Sequence, residues 1–525
     1  MLFRNVTVVD GTGAEPYVAH VAVRDGRIAE IGPAAADAGG PVVDGDGLAL
    51  APGFIDMHAH SDLRLLAEPG HLAKVSQGVT CEVLGQDGLS YAPVDDTTLT
   101  QIRRQIAGWN GDPEGFDWNW RTVGEYLDRL DQGIAVNACY LVPQGSVRML
   151  VIGWDDRPAT AGEIAEQRRM VAEAMEQGAV GMSSGLTYSP GMYAGTDELV
   201  ALCEVVGALG GFYAPHHRSY GAGALAGYAE MVEVSRRSGC PLHLAHATMN
   251  FEVNRGRAGE LLALLDEAAA GGCDVSLDTY PYLPASTTLA SLLPGWASEG
   301  GPSHALARLR DPATAERVRH AMEVEGCDGC HGVPVDWRTV QIAGTRTAAL
   351  AARVGDRVRD FEDFRRLLID DDLGPTILHH AGDEDNVQAI MRHPAHTGGS
   401  DGLLTGARPH PRAWGTFPRY LARYVRELGV LSLQECVAHL TARPARRLKL
   451  AGRGLIRSGY HADLVLFDPE TVRDAATFDD PRRQAEGISH VLVAGVPVIE
   501  HGHPTGALPG RALRRTPHGT TAPRR

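Results

Sequence analysis

At 525 residues, 44% of them hydrophobic, the chain has material for one large domain plus a smaller one. Its formal charge of −16, from 65 Asp and Glu against 49 Lys and Arg, argues against a nucleic-acid partner. The leading MLFRNVTVV lacks an export pattern, no apolar run reaches the ~18 residues of a membrane span, and the eight cysteines are scattered; a cytoplasmic protein with reduced thiols and no membrane partner is expected.

In chain order, the first fifty residues read as short strands: VTVVDGTG, VAVRDGRIAEIG and GLALAPG mix β-branched residues with Asp-Gly and Gly turns. APGFIDMHAHSD follows, an apolar run ending in His58 and His60. TAGEIAEQRRMVAEAMEQG predicts a helix opened by a Thr160/Glu163 capping box, leading into AVGMSSGLTY. Three rounds of helix, glycine stop and strand come next, their strands ending at His216, at His246 and near Asp278. These ends lie about 30 residues apart, the length of one strand-plus-helix unit. The string CDGCH, Cys327 to His331, matches a haem-attachment motif, but without an export signal or a second ligand pair it is read as a loop. PTILHHAGDEDNVQAIMRHPAHTGGSDG supplies a strand, a helix and a last strand ending at Asp401. HADLVLFDP and HVLVAGVPVIEHG resume the short-strand pattern, and a tail rich in Pro, Gly and Arg begins at Thr505.

The middle of the chain therefore predicts a parallel sheet covered by helices, and the two strand-rich ends predict one small β domain built jointly. Eight units would close a barrel of about 250 residues or more, with its chemistry at the carboxyl ends of the strands. The expected divisions are residues 1–52 with 452–504 for the small domain, 53–451 for the barrel, and 505–525 for an extended, partly mobile tail.

His58 and His60 are two residues apart, so on a strand they project to one face as a chelating pair. With His216, His246 and Asp401, each at a strand end, they compose a metal-ligand set. Neutral imidazoles and carboxylates suit zinc, which lowers the pKa of bound water toward about 7; hydrolysis is the natural use. His379, His380, His501 and His503 are read as ordinary hydrogen-bonded residues.

PGFIDMHAH, HHRS, LAH and GGSDG, in this order, resemble the amidohydrolase superfamily. GMSSGLTYSPGMYAGTDELVALC, DTYPYLPASTTLASLLPGW, HPRAWGTFPR and GISHVLVAGVPVIEHGHPTGALPGRALR resemble the N-acyl-D-amino-acid deacylases, or D-aminoacylases, over nearly the whole chain. The resemblance implies an α/β fold, a (β/α)8 TIM-like barrel with a small β-sandwich domain from both termini. It also implies one or two zinc ions and hydrolysis of the amide of a small N-acylated D-amino acid. His58 and His60 would serve one metal position, with Asp401 as ligand or proton shuttle, and His216 and His246 the other. Tyr188 would stand near the scissile carbonyl, and Tyr280 and Ser286 would hold the substrate carboxylate.

Some positions depart from the family. Its GNCG reads GQDG here, which makes Asp87 the expected bridge between metal positions, with Glu82 and Cys81 as weaker choices. The only lysines, Lys74 and Lys449, end no core strand, so a bridging carboxylated lysine is not expected. Thr248 stands where a lysine is common, Gln144 where a histidine is common, and Arg218 is a candidate for the missing cation. These changes keep two other readings open: a cyclic amidase or other amidohydrolase with an altered substrate, and an idle scaffold of the same fold. Oligomeric state is not legible.

Overall fold

The predicted alternation closes into a barrel in the computed structural model, which describes residues 1–37, 39–516 and 519–524. Among the described residues, eight parallel strands pair in chain order: β1 (Phe54–Asp56), β2 (Val79–Leu84), β3 (Asn137–Pro143), β4 (Gly181–Gly185), β5 (Tyr213–His216), β6 (Leu242–Leu244), β7 (Val275–Thr279) and β8 (His396–Gly398). β8 returns to β1 through the Met57 N–H, which donates to the Gly398 carbonyl at 3.1 Å, and through a parallel bridge between Ala59 and Gly402. The ring is thereby closed, and no strand edge is left open.

Helices cover the ring wherever the sequence has an apolar stripe. Ala161–Glu176 opens with the predicted Thr160/Glu163 capping box, and Val123–Leu130 and Leu433–Leu440 open with boxes of the same kind. Thr196–Ala208, Ala224–Ser238 and Ala258–Ala270 follow β4, β5 and β6 and turn Leu199, Leu202, Met231, Val234, Leu261 and Leu265 into one continuous core with the strands. No helix among the described residues is long and apolar enough to cross a membrane.

Between β7 and β8 the chain makes a long excursion. Ala285–Thr288, Val340–Gly344 and Thr376–His379 pair antiparallel in a three-stranded sheet, with a separate core around Leu289, Phe361, Phe364, Leu368 and Ile377. The strand within PTILHH, read from sequence as part of the regular alternation, belongs to this excursion. Its alternate residues face a local core rather than the barrel, a difference that strand periodicity does not carry.

The terminal strands meet in one nine-stranded sheet in which Ala49–Pro52, from the N-terminal part, pairs antiparallel with Leu464–Phe467, from the C-terminal part. Period-two alternation divides its faces. Leu464 and Leu466 pack with Phe3, Val6, Val21 and Leu492, whereas Val465 and Phe467 join the main core that contains the stacked pair Phe54 and Phe417. The segment after Thr505 crosses to the barrel floor. There Ala512 bridges Ala138 of β3, Leu513 is buried, and Leu513–Arg515 pairs with Thr521–Pro523.

Candidate metal centre and active site

β1 runs out at Asp56, and the next turn presents His58 and His60 together. Both are buried, with their Nε2 atoms 3.3 Å apart. β2 ends at Leu84 in the tight loop Gly85-Gln86-Asp87-Gly88, in which Gly85, Asp87 and Gly88 all have positive φ. A Cβ on Gly85 would stand 2.2 Å from the Leu141 carbonyl oxygen, so the loop can lie against β3 only because that residue is glycine. β5 ends on His216, β6 stops two residues short of His246, and β8 leads into Asp401. Asp87, His246 and Asp401 have φ of 54°, 30° and 48°, the left-handed region that non-glycine residues occupy mainly where surrounding structure imposes it, often at functional sites.

These side chains converge on Asp87. Its Oδ1 lies 3.5 Å from His58 Nε2 and 3.5 Å from His246 Nε2; its Oδ2 lies 3.4 Å from His60 Nε2 and 3.5 Å from His216 Nδ1. Asp401 Oδ1 is 3.2 Å from His60 Nε2 and 3.7 Å from His58 Nε2. Two donor groups overlap: His58, His60, Asp87 and Asp401 form one, and Asp87, His216 and His246 the other, with donor atoms in each within 4.8 Å of one another. Ligands about 2.0–2.1 Å from one tetrahedral zinc stand roughly 3.3–3.5 Å apart, so these separations fit ligands around a cation better than hydrogen bonds. Asp87 Oδ1 is buried without a hydrogen-bond partner, a vacancy of bonding that a cation would fill. The donor set fits two positions sharing Asp87.

The electrostatics agree. Burial opposes ionisation of Asp87 and Asp401, but His58, His216 and His246 outweigh it for the first, and Arg412 and His58 for the second, leaving both carboxyls well below their usual range. Burial disfavours the charged form of His58, yet Asp87, Asp278 and Asp401 raise its pKa well above the ordinary value. Two buried carboxylates, balanced by titratable imidazoles and by Arg412 at Asp401, make an environment that binds cations.

A second layer fixes these groups. Thr187 Oγ1 lies 2.7 Å from His216 Nε2, and Tyr220 Oη 3.0 Å from His246 Nδ1, so the other nitrogens of the two rings, 2.9 Å apart, both face Asp87. Asp278 accepts the His246 N–H at 3.0 Å and contacts His243 Nε2 at 3.0 Å. Asp56 accepts the Ser400 N–H, and Lys74 donates to Asp56 at 2.5 Å and to Ser400 at 2.9 Å. Lys74 also pairs with Glu82 at 2.8 Å, and Glu82 with His71 at 2.8 Å. Lys74 and Glu82 are thus bound to each other below the donor cluster, and Cys81 lies in a separate apolar cluster, so neither weaker bridge choice reaches it.

A cavity of about 730 Å³, mouth included, opens over the cluster and is lined by Tyr188, Thr248, Tyr280 and Ser286. Tyr188 donates to or accepts from Thr287 Oγ1 at 2.9 Å, and its ring lies 5.0 Å from that of His216. Arg218 departs from expectation. It donates to Glu230 and to the carbonyls of Met192 and Ala194, and it is absent from the cavity lining, because a carboxylate of the helix that follows it lies within reach. The buried cation near the site is Arg412, which pairs with Asp401 Oδ2 at 2.9 Å and lies 4.4 Å over the Tyr280 ring. Its string, HPRAW, is among those that resemble the deacylases, but nothing local in the sequence marks the arginine. Gln144, though buried, does not line the cavity. His331, from the set-aside CDGCH string, does, as do His379, Tyr220 and Trp109; only their folded positions single them out. The Sγ atoms of Cys327 and Cys330 lie 3.3 Å apart, and among the described residues they join no group of metal donors.

The description of the amidohydrolase family matches residues 41–499. The chain belongs to the amidohydrolase family. This amidohydrolase is 36% identical to a D-aminoacylase of Alcaligenes xylosoxydans xylosoxydans over 98% of both chains. It is also 36% identical to an N-acyl-D-glutamate deacylase of the same organism, over 97% of this chain and 95% of the other. Among solved structures, N-acyl-D-glutamate deacylase from Bordetella bronchiseptica, in complex with zinc and a phosphonate mimic of the tetrahedral intermediate, matches with a TM-score of 0.83 at 33% identity, over 98% of this chain and 99% of that one.

Proposed function

We propose that this amidohydrolase is a zinc enzyme that hydrolyses N-acyl-D-amino acids to a carboxylic acid and a D-amino acid. The observation that carries the reading is the convergence of four imidazole nitrogens on the Asp87 carboxylate beneath a cavity lined by Tyr188, Tyr280 and Ser286. Its similarity to a D-aminoacylase along the full chain supports the substrate class.

His58, His60 and Asp401 would hold one ion, His216 and His246 the other, with Asp87 shared. When bound, zinc supplies a Lewis acid that acidifies water and polarises a carbonyl. Asp401, an ionised carboxylate held by Arg412 at 2.9 Å, takes the proton of the attacking water and returns it to the amide nitrogen as the C–N bond breaks. Burial raises the Tyr188 phenol, keeping it protonated to donate a hydrogen bond to the developing oxyanion. Tyr280 and Ser286 offer hydroxyls to the substrate carboxylate. The eight free cysteines support a reducing compartment, the cytoplasm. We assign 1–52 with 452–504 to the small domain and 53–451 to the catalytic one.

The test is a release assay over paired N-acetyl-D- and N-acetyl-L-amino acids, with hydantoin and dihydroorotate alongside and zinc controlled. Zinc-dependent release confined to the D series is expected; turnover of the cyclic amides alone would move the enzyme to the cyclic amidases. His216→Ala or His246→Ala is expected to abolish turnover and lower zinc per chain while the protein stays folded by circular dichroism.

A further inference from the structure

We propose that a second chamber, walled off by Tyr188, receives the acyl group, and that the preferred substrates carry a long or bulky apolar acyl chain. This rests on the reading of the site given above. The chamber lies beside the cavity over the donor cluster and is about equal to it in size. The two share Trp109, Thr187, Tyr188 and Ser291, so they adjoin across these side chains.

The chamber has an apolar side, set among the hydroxyls and amide of Ser189, Thr288, Ser298 and Gln105. Leu89, Ile106, Trp154, Met192, Leu293 and Leu373 line it, from the barrel on one side and from the excursion between β7 and β8 on the other. Its charged residues, Arg104 and Asp372, neutralise each other through hydrogen bonds of 3.0 and 2.6 Å, and both are partly exposed. A carboxylate entering there would meet no free cation and would lose hydration, whereas a hydrocarbon chain would lose only water contact.

Connectivity decides which part of the substrate enters. The carboxylate and the side chain of an amino acid leave the same carbon, so they must be bound close together. Tyr280 and Ser286 line only the first cavity, where Phe251, Leu292 and Leu403 offer an apolar surface for the side chain. The acyl chain leaves the carbonyl carbon on the far side of the scissile bond. Tyr188, placed to face the carbonyl oxygen, belongs to the wall common to both spaces, and a chain leaving that carbon passes its ring into the second chamber.

The experiment measures kcat/KM on D-leucine carrying acetyl, butanoyl, hexanoyl and octanoyl groups, and on N-acetyl derivatives of D-alanine, D-leucine and D-phenylalanine. Burying one methylene, worth about 0.8 kcal/mol, corresponds to roughly fourfold, so a rise of at least tenfold from acetyl to octanoyl is expected. Ala290→Trp and Ser298→Trp, at positions lining only the second chamber, are expected to lower the octanoyl-to-acetyl ratio at least tenfold; melting curves check that both fold. A flat or falling acyl series in an enzyme that hydrolyses N-acetyl-D-leucine overturns the proposal. So does a loss of side-chain preference, rather than acyl preference, in the tryptophan variants. If no N-acyl-D-amino acid is turned over, the functional reading falls instead. The chamber is then judged by calorimetry, and N-octanoyl-D-leucine binding no tighter than N-acetyl-D-leucine overturns it.

Discussion

Asp87 is the residue on which the donor cluster turns, with each carboxylate oxygen facing two imidazoles. An amide at this position would keep the shape but remove the charge that balances a cation. Asp87→Asn is therefore expected to cut zinc per chain and to reduce the rate at least a hundredfold, measured by elemental analysis and amide release. Asp87→Cys, which restores the family residue, is expected to retain part of both, since the thiolate ligates zinc at about 2.3 Å rather than 2.0–2.2 Å. Cys327→Ser and Cys330→Ser touch no donor group and are expected to leave hydrolysis within about twofold of the parent; loss of metal in either would make that pair a ligand site. At this scale the histidines were legible because their spacing and strand-end positions are local. Arg412 and Arg218 were not, because whether an arginine faces substrate or a neighbouring carboxylate depends on side chains distant in the chain or on another turn of structure.

The strand β2 and its exit loop position Asp87, and two features of that element can be tested. Gly85 has φ of 75° and lies against the Leu141 carbonyl. Gly85→Ala combines backbone strain of about 1–3 kcal/mol with a steric clash, and a larger loss of zinc is expected than from alanine at the open position Gly259. Further back on the strand, burial would raise the Glu82 carboxyl, but Lys74 and His71 outweigh it and hold it at about 2, against 4.5 ordinarily. A depressed carboxyl stabilises the fold above its unfolded pKa and ceases to do so as pH falls through the folded value. The melting midpoint is therefore expected to drop as the pH falls from 4.5 toward 2. Glu82→Gln should melt lower at neutral pH and show a shallower fall. Helix and strand assignment was largely legible because apolar periodicity and caps are local, as at Thr160. The excursion between β7 and β8 was not, since Thr376–His379 has the composition of a barrel strand and only its antiparallel partners set it apart.

Across the whole molecule, the two ends of the chain are joined to the barrel by burial. Leu513 and Ala512 lie buried on the barrel floor, and Arg514 pairs with Asp131 at 2.6 Å and Asp128 at 2.7 Å. Leu513→Ala is expected to destabilise the protein by about 2–5 kcal/mol, read as a lower denaturant midpoint, with amide release at 25 °C unchanged because the floor lies opposite the strand ends that carry the site. The sequence by itself determined the alternation of strand and helix, the union of both termini in one small β domain, the histidines and, through the family resemblance, the substitution of Asp87 for a cysteine. Each of these is carried by short-range periodicity or by a motif a few residues long. Only the tertiary structure decided that one carboxylate stands among four imidazoles, that Arg218 is bound elsewhere while Arg412 holds Asp401, and that a second chamber opens beside Tyr188. Those outcomes depend on distances between residues up to hundreds of positions apart, and such distances exist only once the barrel has closed.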